Sequence, residues 1–248
     1  MKIVNRHLQF PKANLVEANG YGYIHVAAEF EKPRGPFPRN TARKRKVLIQ
    51  AKEIADRLQE LPEIRNVHLF EALLIPPGRG KLLKQRQGNV HLAQFDVVVL
   101  IETYAQEMSQ QVQAHAYFQE LLLLLTEQSH FVHKVAAANA RKIAEVDKSR
   151  QGVFLFNYFY ADDVNDLLPV WEYTAGWFTV KTGLDNSTLL LPAEGEASQY
   201  GLINHCRWDH LSDIVPDLLF RPTFRSYVLD NFEINGIAAM PVLYKLFR

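Results

Sequence analysis

Apolar positions along the chain recur with two different periods, and the switches between them mark out strands and helices. An aromatic and β-branched run over residues 21–30 follows Asn19-Gly20 and predicts a first strand, which the Pro-rich stretch 33–38 ends. Val47, Ala51, Ile54, Leu58 and Leu61 are spaced by four and three, predicting a helix over residues 41–61 that Pro62 closes. Residues 67–75 and 95–102 read as two further strands, separated by a polar loop over 78–90. Met108, Val112, Phe118, Leu122 and Leu125 mark one helix, and residues 131–137 a fourth strand.

The order then restarts. Residues 148–152 resemble a linker, and 153–160 are the most strand-like segment of the chain. Asp162 and Asp163 suit the N-terminus of a helix carrying Leu167, Trp171, Ala175 and Phe178 and closing near Gly183. Residues 188–191 and 202–208 supply two strands. Pro222 fits the first position of a helix bearing Phe224, Val228 and Phe232; Asn235-Gly236 stops it, and 242–247 form a last strand. The chain therefore reads as α+β, with two tandem βαββαβ units: residues 1–148, which include an N-terminal extension, and residues 149–248.

Phe154, Phe156 and Tyr158 point one way along their strand, and Val153, Leu155 and Phe159 the other. A lone βαββαβ unit covers one sheet face with its helices and leaves the other to water, so a strand apolar on both faces needs a second cover. The other half is the natural source. In this element order the chain resembles the dimeric α/β-barrel superfamily of ferredoxin-like folds, in fused, duplicated form, over about residues 20–248. The resemblance implies antiparallel sheets packed as a pseudo-dimeric barrel, with ligands between sheet and helices or within the barrel. Its members include cofactor-free monooxygenases, small isomerases, haem proteins of the chlorite dismutase and dye-decolourising peroxidase type, and stress-responsive proteins. Fold does not choose among these.

Composition changes this picture little. With 48% hydrophobic and 22% charged residues the chain is an ordinary globular one, and its single cysteine, Cys206, excludes an internal disulfide. The opening residues Met-Lys-Ile-Val-Asn-Arg lack a secretory signal and no apolar run approaches a membrane span, so the expectation is a cytoplasmic protein without membrane association. Charge is uneven: residues 151–248 carry 6 Lys+Arg and 12 Asp+Glu, leaving 22 and 15 for residues 1–150. Attraction between the halves explains this asymmetry more simply than a basic surface presented to an anionic ligand, and the pattern does not resemble a nucleic-acid-binding footprint, which calls for a strongly basic domain.

Hydrolase elbow, P-loop, zinc-protease and dinucleotide signatures are all absent. His205, Cys206, Asp209 and His210 invite a metal reading, but on a straight strand His205 and Asp209 lie about 13 Å apart, so no metal is expected. His205 and Arg207 share a strand face about 7 Å apart, a spacing suited to an anion with an imidazole as acid or base. His25 and Glu29 share another face. Glu71 and Glu102 are single acids among aliphatics, where a carboxyl pKa rises toward neutrality.

If those faces line the barrel, one pocket gathers His25, Glu71, Glu102, Asn157, His205 and Arg207; the alternative puts them at strand ends in water. His25, Glu71, His205 and Arg207 are the catalytic candidates, and Glu102 and Asn157 the contacts. Arg39, Arg43, Lys44, Arg45 and Lys46 crowd a helix start, where the macrodipole disfavours cations, so Arg39 and Arg43 are candidates for an anionic ligand, with the basic loop Arg79, Lys81, Lys84 and Arg86 adding to the field.

The leading functional expectation is a small-molecule-binding barrel, monomeric or homodimeric, with acid–base chemistry on an apolar substrate bearing an anionic or carbonyl group. Whether it is an enzyme, and with what cofactor, the sequence leaves open. A non-catalytic interaction module using the basic surface is one alternative, and haem binding through His115 another. An interior filled by aromatics favours the interaction module; an open one favours a ligand.

Overall fold

The computed structural model describes residues 1–76, 81–85 and 90–248. Eight strands close into one antiparallel barrel: β1 (Gly22–Glu29), β2 (Ile64–Leu74), β3 (Val97–Thr103), β4 (Phe131–Lys142), β5 (Val153–Ala161), β6 (Thr188–Pro192), β7 (Leu202–Trp208) and β8 (Ile237–Leu246). Their order around the barrel is β1-β3-β2-β8-β5-β7-β6-β4. Each set of four therefore has the same order, β4-β1-β3-β2 and β8-β5-β7-β6. The sets join edge to edge through β2 with β8 and β4 with β6, which leaves no open sheet edge.

In the first half α1 (Ala42–Gln59), capped by the Thr41 hydroxyl, packs with α4 (Ala116–Gln128) over the outer sheet face. A short α2 (Lys81–Gln85) lies in the loop before β3, and Arg79 and Arg86 of the expected basic loop are outside the described residues. The single helix expected over Met108–Leu125 is two, α3 (Met108–Ala114) and α4. His115 breaks it with ψ at 142°, and its Nδ1 accepts the Tyr117 N–H as the cap of α4. That bond engages Nδ1 and places His115 at a helix junction rather than within one continuous helix.

In the second half α5 (Leu167–Thr182) ends on Gly183 in the left-handed region, as its sequence predicts. The cover of β5 and β8 is less regular. A short α6 (Val215–Phe220) stops at Arg221, whose ψ of 118° is extended, and a π-helical turn over Phe224–Leu229 runs into α7 (Asp230–Ile234).

Strand alternation sorts side chains into three compartments. Val97, Val99 and Ile101 face the first helix layer; Leu155, Phe159 and Leu243 face the second. Phe70, Phe95, Phe154, Phe156, Tyr158, Tyr200 and Tyr244 turn inward and fill the barrel. Phe70 meets Phe154 and Phe156 edge-on, each with 5.2 Å between ring centres, and Phe95 meets Tyr158 at 5.0 Å. The space between the halves is a packed core.

The N-terminal extension, read from sequence with the first unit, lies across the helices of the second. Asn235 takes the Lys2 N–H at 2.6 Å and donates to the Lys2 carbonyl at 2.7 Å; Asn231 takes the Val4 N–H at 3.0 Å. Each amide side chain acts toward the arm as a strand neighbour would. Phe10 then packs on Tyr227, and the arm crosses α5 so closely at Gly176 that a Cβ there would lie 1.7 Å from the Pro11 carbonyl oxygen.

Candidate ligand cavity

The outer face of β5 and β8 and the broken helix above it enclose a cavity of about 660 Å³. Its floor is Leu155, Asn157, Ala239, Pro241 and Leu243; its roof includes Ile214, Leu218, Phe224, Val228 and Phe232. Phe37, Leu74 and Pro76 close one end from the first half, so both halves contribute. The opening follows from the local sequence: Pro222 restarts a helix after an extended residue, and the wide π turn carries Phe224 and Val228, with Phe232 of α7 four residues on, all lining one side.

Among the described residues no acid, base or tyrosine lines this space; its polar side chains are Asn157 and Ser212. Asn157 sits in the floor opposite Pro241 on β8 and Asn204 on β7. The Asn204 amide oxygen is engaged by the Ser187 hydroxyl at 2.6 Å, whereas the Asn157 amide oxygen is buried with no hydrogen-bond partner among the described residues. An orphaned acceptor of this kind costs roughly 1–3 kcal/mol. A ligand donor removes that cost.

The expected six-residue pocket is not assembled. Parity separates it: His25, Glu102, His205 and Arg207 face into the barrel, whereas Glu71 and Asn157 occupy alternate positions and face the helices on opposite sides of the molecule. His25 is fully buried, with Nε2 3.2 Å from the Tyr158 hydroxyl and Nδ1 unpartnered. His205 stacks on Phe156 at 4.2 Å with Nδ1 on the Leu155 carbonyl. Burial drives both imidazoles well below their usual pKa, with His133 adding to the shift at His25 and Lys148 at His205, so both are neutral core groups.

Arg207 directs Nη2 to the Gln151 carbonyl at 2.6 Å and to Asp209 at 2.8 Å, whereas its buried Nε, like His205 Nε2, has no hydrogen-bond partner among the described residues. Burial works to raise Glu102, but Lys148 at 2.9 Å and Asn66 bring it below the usual carboxyl range; Arg65 lies 2.7 Å away. The expectation of a raised pKa at Glu102 is thus reversed by its ion pairs. Glu71 lies between the buried Lys44 at 3.4 Å and Lys245 at 3.3 Å. That pairing, with Arg39 near Glu31 at 3.7 Å and Arg43 donating to the Gln128 carbonyl, gives three of the five cations at the start of α1 partners within the chain.

No protein-family model and no curated protein matches the sequence. Solved structures do match by shape. An anthrone oxidase-like protein superposes over 97% of this chain and 95% of its own, with a TM-score of 0.65 at 10% identity. A Fusobacterium nucleatum protein provisionally assigned as a monooxygenase covers 92% of each chain, with a TM-score of 0.55 at 5% identity. A Trp-to-Val variant of chlorite dismutase from Candidatus Nitrospira defluvii covers 94% and 93%, with a TM-score of 0.50 at 9% identity. The chain thus has the ferredoxin-like, dimeric α/β-barrel fold in duplicated form. No helix among the described residues is long and apolar enough to cross a membrane.

Proposed function

We propose that this duplicated α/β barrel binds a neutral, largely apolar small molecule in the cavity under the broken helix, with Asn157 receiving its one polar group. The observation that carries the reading is the orphaned Asn157 amide oxygen in an otherwise apolar space of about 660 Å³. A hydroxyl or N–H on the ligand would satisfy that oxygen, and the adjacent amide nitrogen could serve a carbonyl. Among the described residues an anionic group finds no cation in the lining, which favours an uncharged ligand. Among the described residues the lining also holds no acid, base or tyrosine, which favours binding over acid–base catalysis at this position.

N-phenyl-1-naphthylamine, an uncharged fluorophore with a single N–H, is a direct probe. Saturable one-to-one binding is expected. Val228→Trp, which fills the space, should abolish it, and Asn157→Leu should weaken it about 2- to 12-fold, the worth of one hydrogen bond. Because Asn157→Leu also removes an orphaned acceptor, the free variant should melt higher than wild type. Unsaturable binding, or saturation unaltered by Val228→Trp, rejects the proposal.

A further inference from the structure

A second opening lies at one mouth of the barrel, a groove of about 1050 Å³ whose lining includes Glu29, His91, Phe131, His133, Ser198 and Gln199. Unlike the apolar cavity, it contains a preorganised imidazole. His91 Nε2 is 2.7 Å from Glu29 Oε2, and the Glu29 side chain is only 9% exposed at the end of β1. The His91 ring lies flat on Phe131, 3.7 Å between centres at 14°. Its backbone is held as well: the N–H donates to the Gln199 side chain at 2.7 Å, and the carbonyl accepts the Tyr200 hydroxyl at 2.8 Å. The His91 side chain remains 32% exposed, and among the described residues nothing bonds its Nδ1.

An imidazole fixed by a largely buried carboxylate on one nitrogen, with the other unengaged beside a groove, has the arrangement of a general base. Both halves build it, since Ser198, Gln199 and Tyr200 come from the β6–β7 loop and the remainder from the first half. We infer that the barrel mouth is a hydrolytic site, separate from the apolar cavity, in which His91 activates water against a small carboxylic ester. His91 Nδ1 takes one proton from water while the water oxygen bonds to the ester carbonyl carbon. Collapse breaks the bond from that carbon to the ester oxygen, and His91 returns the proton to the leaving alcohol, giving acid and alcohol from ester and water.

Glu29 is a positioning residue, acting through the imidazole. Ser198, whose hydroxyl lies 3.0 Å from His133 Nε2 and donates to the Tyr200 carbonyl at 2.9 Å, is held as a fixed polar wall.

The probe is 4-nitrophenyl acetate, with release of 4-nitrophenol followed against an equal concentration of free imidazole. The protein should exceed imidazole, and His91→Gln should lower kcat/KM about 10²-fold or more, in line with general-base contributions. Glu29→Gln should lower kcat with KM unchanged, and Glu29→Asp should restore part of the loss, a rescue that a merely structural role would not give. Melting curves establish that each variant is folded; because His91 is partly exposed, its replacement tests the inference even if Glu29 proves structurally indispensable. A wild-type rate no greater than imidazole, a His91→Gln rate equal to wild type, or loss in Ser198→Ala alone overturns the inference. None of these results bears on naphthylamine binding in the other cavity.

Discussion

Acid should destabilise this protein before most of its carboxylates titrate. His25, His68, His133 and His205 are all held neutral, chiefly by burial, His68 and His133 at about 4 and the other two well below their usual value. In the unfolded chain each returns to about 6.5. Below that pH the unfolded state binds protons that the folded state refuses, so the stability is intact above about pH 6.5 and lost as pH falls.

At pH 5 His68 and His133 each cost about 2 kcal/mol, and His25 and His205 act in the same direction. Asp96 works the other way. Burial lifts it to about 7, above the ordinary aspartate value, so it takes a proton in the folded state first and returns part of that loss, on the order of 2 kcal/mol, over the same range. The net loss of several kcal/mol compares with a typical total of about 5–15 kcal/mol and corresponds to a fall in Tm on the order of 10 °C. Calorimetric melts from pH 7.5 to 5 at fixed ionic strength measure it. His205→Phe, which keeps the stack on Phe156, should flatten the dependence. A Tm constant within a few degrees down to pH 5, or an unaltered slope in His205→Phe, would refute the reasoning.

Two further outcomes concern the architecture. Glu71→Gln leaves Lys44, only 1% exposed, without its ion pair, and urea unfolding should show a loss of about 3–5 kcal/mol; a change below 1 kcal/mol would mean that Lys44 finds another partner. Residues 149–248 alone should fail to fold as a soluble monomer, because β6 and β8 lose their edge partners and Phe154, Phe156 and Tyr158 meet water. A cooperative melt from that fragment would contradict the barrel's dependence on both halves.

The sequence disclosed elements better than compartments. Residues 202–208 are a strand end to end as read, because apolar positions bounded by turn residues give a local signal. Parity is local too, and it set Asn157 with Leu155 and Phe159 rather than with Phe156. Which face meets helix and which meets barrel depends on closure through β2–β8 and β4–β6, and no periodicity reports that. The roof of the cavity was partly legible: Leu211, Ile214, Val215 and Leu218 stand at i, i+3, i+4 and i+7, a helical signature that the nearby prolines obscured. The split at His115 was not, since the apolar spacing continues through it. Glu29 and His91 are 62 residues apart, and only the fold brings them to 2.7 Å.

The wall between the barrel and the cavity is a single strand thick. Along β5, Phe154, Phe156 and Tyr158 belong to the ring stack while Leu155, Asn157 and Phe159 belong to the far side, so every peptide plane of the strand is shared. A guest pressing on Asn157 therefore leans on Phe156 and Tyr158 through their common backbone. The asymmetric environment of those rings should make near-ultraviolet circular dichroism an intrinsic gauge of occupancy, readable without labelling the protein or its guest.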